Sequence, residues 1–295
     1  MEKKDKNKAL LPWGFLALGF ILGSVSIFLF LKYADLTKPP VEAPPLKITT
    51  QEEPKPPEEV PPPPPEKPDE PATMPRIAIV IDDMGQDIGK LRELFTVGGP
   101  ITIAVMPNMR YSKETAREAR LKGWDVILHL PMEPKELSEN DPGAGALLTA
   151  MSTEEITAQV ERDLSAVPDV IGVNNHMGSK FTEDESDMRA VLGVIKKKNM
   201  FFLDSRTSAN SVAGRLAKEL GVRNADRSVF LDNTRDVAYI KGQIGELVSI
   251  AKRRGKAIGI GHPYPETLEA LKATVSGLDE KGIAVVKLSD IVERK

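Results

Sequence analysis

The 295-residue chain contains no cysteine and only 3 histidines, His129, His176 and His262. The first absence excludes disulfides, thiol nucleophiles and Cys-based zinc sites, and it suits an exported protein that avoids wrong pairing. The second confines any histidine chemistry to those positions. An excess of positive charge is also lacking. The net charge is -3 and the pI about 5.8, which gives no electrostatic basis for binding DNA or RNA. HExxH, G-x-S-x-G, Walker and Rossmann signatures are absent, and no serine occupies a nucleophile elbow.

What is present divides into regions, since the length exceeds the needs of one ordinary domain. Residues 1–8 carry Lys3, Lys4, Lys6 and Lys8, and an uncharged run follows from Ala9 to Leu31. That run is close to the ~20 residues a membrane-spanning helix requires and longer than the ~7–15 of a cleavable signal core. With no convincing cleavage site, residues 9–33 read as an uncleaved signal anchor in the cytoplasmic membrane. The lysines then stay in the cytoplasm, and everything after the span lies on the periplasmic or extracytoplasmic side. Gly19-x-x-x-Gly23 lies within the span and would let two helices approach in a weak homodimer. Residues 34–73, rich in Pro and Glu, have almost nothing to bury and read as an extended, disordered spacer.

Residues 74–295 form the folding body. Apolar runs at 77–81, 101–106, 125–130, 170–175, 200–204, 228–232, 257–261 and 283–288 read as strands. Between most of them lie helical patterns. Ser152 and Glu155 have capping-box spacing and open a helix through about Ala166, and Asp184 to Lys198 is helical in period. Pro265 stands at a first helical position, ahead of a helix ending near Gly282. This alternation predicts an α/β fold, a (β/α)7-8 barrel.

Polar residues collect where these strands end. Asp82 and Asp83 follow the first, Pro107 and Asn108 the second, His129 and Glu133 the third, and Asn174, Asn175 and His176 the fourth. Asp204 and Arg206 follow the fifth, Asp232 and Asn233 the sixth, and His262 the seventh. Taken singly, Asp204 and Asp232 are turn or cap residues, Arg206 is an ion-pair partner, and His262 fills a tight loop. Taken together they would have to be independent accidents at one end of successive strands, and that end is where parallel α/β folds build their sites. Aspartate with histidine suits Zn²⁺ or a related divalent ion, with a position left for water. A neighbouring carboxylate can take that water's proton, and a histidine can protonate a leaving amine.

The stretches IDDMG, ITIAVMPN, LHLPMEP, NNHMGSKFTED, FLDSRTS and GIGHPYPET, in this order, resemble the divergent polysaccharide deacetylase family, a branch of the NodB-type deacetylases. The resemblance runs from Ile77 to the C-terminus and implies their distorted βα-barrel. It implies Asp82 as general base, Asp83 and His129 as metal ligands, and His262 as general acid. Glu133 stands where the wider family has a second histidine ligand, and the family's R-P-P-Y motif is replaced by NNHMGS. His176 would then complete the metal set, with Glu133, Asn175, Asp204 and Arg206 as substrate-contacting or supporting residues. The implied activity is metal-dependent, with Zn²⁺ as cofactor, and removes N-acetyl groups from an envelope glycan such as peptidoglycan. Two other readings stand beside it: a glycan-binding or envelope-organising barrel without turnover, and a glycosidase pairing Asp82 with Glu133 or Asp204 across the rim.

Overall fold

The structure is a computed structural model that describes residues 74–292. The predicted span, its Gly19 to Gly23 contact and the Pro-rich spacer lie outside the described residues. Among the described residues no helix is long and apolar enough to cross a membrane.

Nine parallel strands make one sheet: β1 (Arg76–Met84), β2 (Thr102–Val105), β3 (Val126–Met132), β4 (Gly172–Met177), β5 (Phe201–Asp204), β6 (Arg223–Asp226), β7 (Val229–Phe230), β8 (Lys256–Gly261) and β9 (Ala284–Val285). Their order is β6-β5-β4-β3-β2-β1-β8-β7, with β9 also against β1. Parallel neighbours need crossovers, and helices supply most of them. Among the described residues β6 and β7 do not pair, so the barrel is distorted and open at that seam.

Side-chain parity decides what faces where. On β1, Ile77, Ile79 and Ile81 join the large apolar cluster with helix residues such as Leu91 and Leu247. Ala78 and Val80 point the other way, into an inner cluster with Ala104, Ile127, Phe201, Leu203, Ile258 and Ile260. Because the strand period is 2, the next residue of each inner row is Asp82 on β1, His129 on β3 and His262 after β8. The β3–β4 register sets Asn174 beside His129 and His176 beside Pro131, in the same row. Polar groups thus cap the inner core at the C-terminal ends of the strands.

Several boundaries differ from the sequence expectation. The run at 228–232 yields only the two-residue β7, and that at 283–288 only β9 before a 3₁₀ turn at Leu288–Asp290. β6 was not expected, because an end strand of sequence RNAD has one neighbour and carries no apolar run. The helix opened by Pro265 stops at Thr274, and 3₁₀ turns carry the chain to Gly282 (φ 70°). The capping box forms as spaced. Glu155 N–H donates to Ser152 Oγ at 3.2 Å and Ser152 N–H to Glu155 Oε2 at 2.8 Å, opening Thr153–Ala166. Asp184 caps Glu185–Lys197 by accepting from Asp187 N–H.

Candidate metal centre and active site

Parity alone would turn Asp83 away from the inner face. Two local irregularities bring it in. The β1–β2 register slips between Ile81 and Met84, and Asp83 has φ 55°, in the left-handed region. Asn108, Met177 and Arg206 share that conformation at other strand ends. Strain of this kind costs roughly 1–3 kcal/mol per residue and gathers where side chains must be re-aimed.

Asp83 Oδ1 then lies 3.2 Å from His129 Nε2 and 3.0 Å from His176 Nδ1. The two nitrogens are 3.0 Å apart. Ligand atoms around a tetrahedral ion with bonds of about 2.0–2.2 Å sit roughly 3.3–3.6 Å from one another. The observed triangle is slightly tighter than one face of such a tetrahedron and leaves the fourth corner free. Among the described residues, Asp83, His129 and His176 are the group of carboxylate and imidazole ligands close enough to share an ion. Asp83 Oδ1 is buried and receives no well-aligned hydrogen bond. An acceptor left bare between two ring nitrogens is what a cation would satisfy, so these residues fit a divalent metal.

The charges around the triangle point the same way. Burial opposes the charge of Asp83, yet the adjoining His129 and His176 hold its carboxyl far below the usual carboxylate range. Burial also opposes protonation of His129 but is outweighed by Asp82 and Asp83, so its pKa rises. Positive charge is favoured here. Asp82 lies beneath, 3% exposed at its side chain, with Oδ2 3.7 Å from His129 Nε2. Its pKa is raised by burial, against the pull of His129, His262 and Asn174.

His262 stands on the open side, its Nε2 3.9 Å from Asp83 Oδ2. Its Nδ1 is 2.9 Å from Asp232 Oδ1, and Asp232 Oδ2 accepts from the His262 backbone N–H and from Thr267 Oγ1. Burial disfavours the imidazolium, but Asp232 prevails and the pKa is pushed up to about 9. Phe230 stacks near one side of the ring and Tyr264 tilts against it at 5.4 Å.

The other residues singled out from sequence lie around this centre. Glu133 does not enter the triangle: its Oε2 accepts from Thr149 N–H and Oγ1, and its Oε1 from Lys180 Nζ at 2.6 Å. Asp204 holds its own loop, accepting from Arg206 N–H and Ser211 Oγ. Arg206 lies 3.7 Å from Asp204 Oδ2. Asn175 accepts from Ser205 N–H and donates to the Met177 carbonyl and to Thr207 Oγ1. The sequence places Asn174 and Asp232 among the polar strand ends but assigns neither a role in the site. Their signal was position, each being a polar residue where a strand ends. Their partners depend on register and could not be read.

A profile of the family described as divergent polysaccharide deacetylase matches residues 79–292. An uncharacterized protein of Haemophilus influenzae is 38% identical over 205 residues, 70% of this chain and 72% of that one. The uncharacterized YibQ of Escherichia coli is 36% identical over 222 residues, 75% of this chain and 69% of its own. A solved structure of an uncharacterized Agrobacterium tumefaciens protein superposes with a TM-score of 0.72 at 26% identity, covering 75% of this chain and 90% of the other. By its sequence, the chain belongs to the divergent polysaccharide deacetylase family.

Proposed function

We propose that this protein is a metal-dependent hydrolase that removes N-acetyl groups from an envelope polysaccharide, a peptidoglycan-like glycan. The observation that carries this reading is the Asp83–His129–His176 triangle, with a buried carboxylate behind it and a histidine in front. Asp83, His129 and His176 would hold the ion, for which Zn²⁺ suits a set of two imidazoles and one carboxylate. When bound, the metal supplies a Lewis acid that acidifies water and polarises the acetyl carbonyl.

The chain's own groups do the rest. Asp82 takes the proton of the water whose oxygen bonds to the acetyl carbon. His262 delivers a proton from Nε2 to the amide nitrogen as the carbon–nitrogen bond breaks, leaving acetate and a free amine. Asp232, bonded to Nδ1 of that ring, keeps Nε2 aimed at the opening and stabilises the charged imidazolium.

The full-length protein should contain metal and release acetate from N-acetylated glycan. Chelation should abolish release, and Zn²⁺ should restore it. Metal without acetate, together with glycan retention, would overturn the hydrolase and leave a binding protein. Production of new reducing ends would indicate a glycosidase.

The substrate class rests on location. We propose that residues 9–33 anchor the chain in the cytoplasmic membrane and that the body works on its outer side. A reporter enzyme that requires export, fused after Thr73, should be active. Activity only from a reporter that works in the cytoplasm would reverse the topology and remove envelope glycan as the substrate.

A further inference from the structure

We infer that Asn174 is a positioning residue that serves both halves of the site at once. Its carbonyl fixes which nitrogen of His129 faces the metal, and its amide aims the Asp82 carboxylate. The metal part of this inference concerns the chain itself, and only its turnover part rests on the hydrolase reading.

Asn174 is fully buried, and each of its polar atoms has a partner. Its Oδ1 lies 2.9 Å from His129 Nδ1. Its Nδ2 donates to Asp82 Oδ1 at 2.9 Å and to Ser205 Oγ at 3.2 Å. The amide orientation follows from chemistry, because the opposite one would set a carbonyl against the Asp82 carboxylate. A carbonyl can only accept, so His129 Nδ1 carries the hydrogen. The neutral ring then has its lone pair on Nε2, the atom that meets Asp83 and His176.

The backbone enforces this arrangement. The β3–β4 register places Asn174 directly beside His129. Ser205, the third partner, is itself fixed, since its N–H donates to Asn175 Oδ1 at 2.9 Å and its carbonyl accepts from Arg227 Nε at 2.6 Å. The side chain is wholly buried, and turning its amide would break the bonds to His129, Asp82 and Ser205 together. A residue that only filled buried space would need none of these directed bonds.

Two substitutions separate the roles. Asn174→Asp keeps an acceptor for His129 Nδ1–H but offers no donor to Asp82, while Asn174→Ala removes both. Zn²⁺ affinity, measured by chelator competition on the full-length protein, should be equal or tighter in Asn174→Asp and about 10–100-fold weaker in Asn174→Ala. Turnover at saturating Zn²⁺ should fall by about 10²-fold or more in both, with little change in KM. Should Asn174→Ala fail to fold, the isosteric Asn174→Asp against wild type still decides. Metal kept with turnover lost supports the proposal. Metal lost, or turnover kept, overturns it. So does an Asn174→Ala protein that binds Zn²⁺ like wild type. If wild type binds Zn²⁺ but releases no acetate, the hydrolase reading fails alone, and the affinity comparison still judges Asn174. If wild type binds no Zn²⁺, both fail.

Discussion

Asp83→Ala, His129→Ala and His176→Ala should each remove bound metal and acetate release together. Every one deletes a corner of a triangle whose sides are 3.0, 3.0 and 3.2 Å. Two remaining ligands cannot hold the ion in a defined geometry, and they lose the compensation that makes burying their charge tolerable. Lewis-acid stabilisation is worth several kcal/mol, and each 1.36 kcal/mol is a decade in rate, so release should fall by about 10³-fold or more. A replacement ligand is not at hand. Glu133 would have to abandon Lys180 and both donors of Thr149 to reach the ion. Elemental analysis of the purified variants checks the metal, and acetate release from N-acetylated glycan checks the chemistry. A variant that keeps both would strike its residue from the ligand set. If His176→Ala alone did so, the set would be Asp83 and His129 with Glu133 as the next residue to test.

The barrel and the end of it that carries the site were legible because parity is a local property. An apolar strand tells which residue of the row comes next, and Asp82, His129 and His262 fall in those rows. Asp83 was different: adjacent residues on a regular strand face opposite ways, and only the slipped register and φ of 55° bring it to the same centre. No residue of IDDMG announces that slip; the family resemblance implies Asp83 as a ligand but says nothing of the backbone that turns it inward. Asn174 and Asp232 lay in view as polar strand ends, but their roles depend on pairings made across the sheet and between distant segments. Asp232 reaches a histidine 30 residues on, and Asn174 an aspartate 92 residues back. β6 was hidden for an energetic reason: with a neighbour on one side only, it contributes little to either apolar cluster.

Asp82→Asn should retain the metal and lose the reaction. Asp82 is the inner-row residue of β1, buried beneath the triangle, and its oxygens do not belong to the ligand group. Asparagine has the same shape, so the fold above the inner core should persist. What disappears is the carboxylate's capacity to take a proton from water. Removing a general base costs about 10²–10⁴-fold, and that loss should appear at saturating metal and substrate. His262→Ala should give a loss of similar size on an N-acetylated sugar, whose leaving amine needs a proton. On an acetyl ester with an activated leaving group, His262→Ala should lose far less, because that group departs without protonation. Asp82→Asn should stay impaired on both substrates, since water must be deprotonated in either case. The contrast between substrates carries the assignment. Equal defects of His262→Ala on amide and ester would remove it as the acid and leave it a structural partner of Asp232. Full activity of Asp82→Asn with metal bound would pass the role of base to Asp83 or to hydroxide from solution, and the buried carboxylate would then serve only to hold Asn174 and balance the charge of the ion above it.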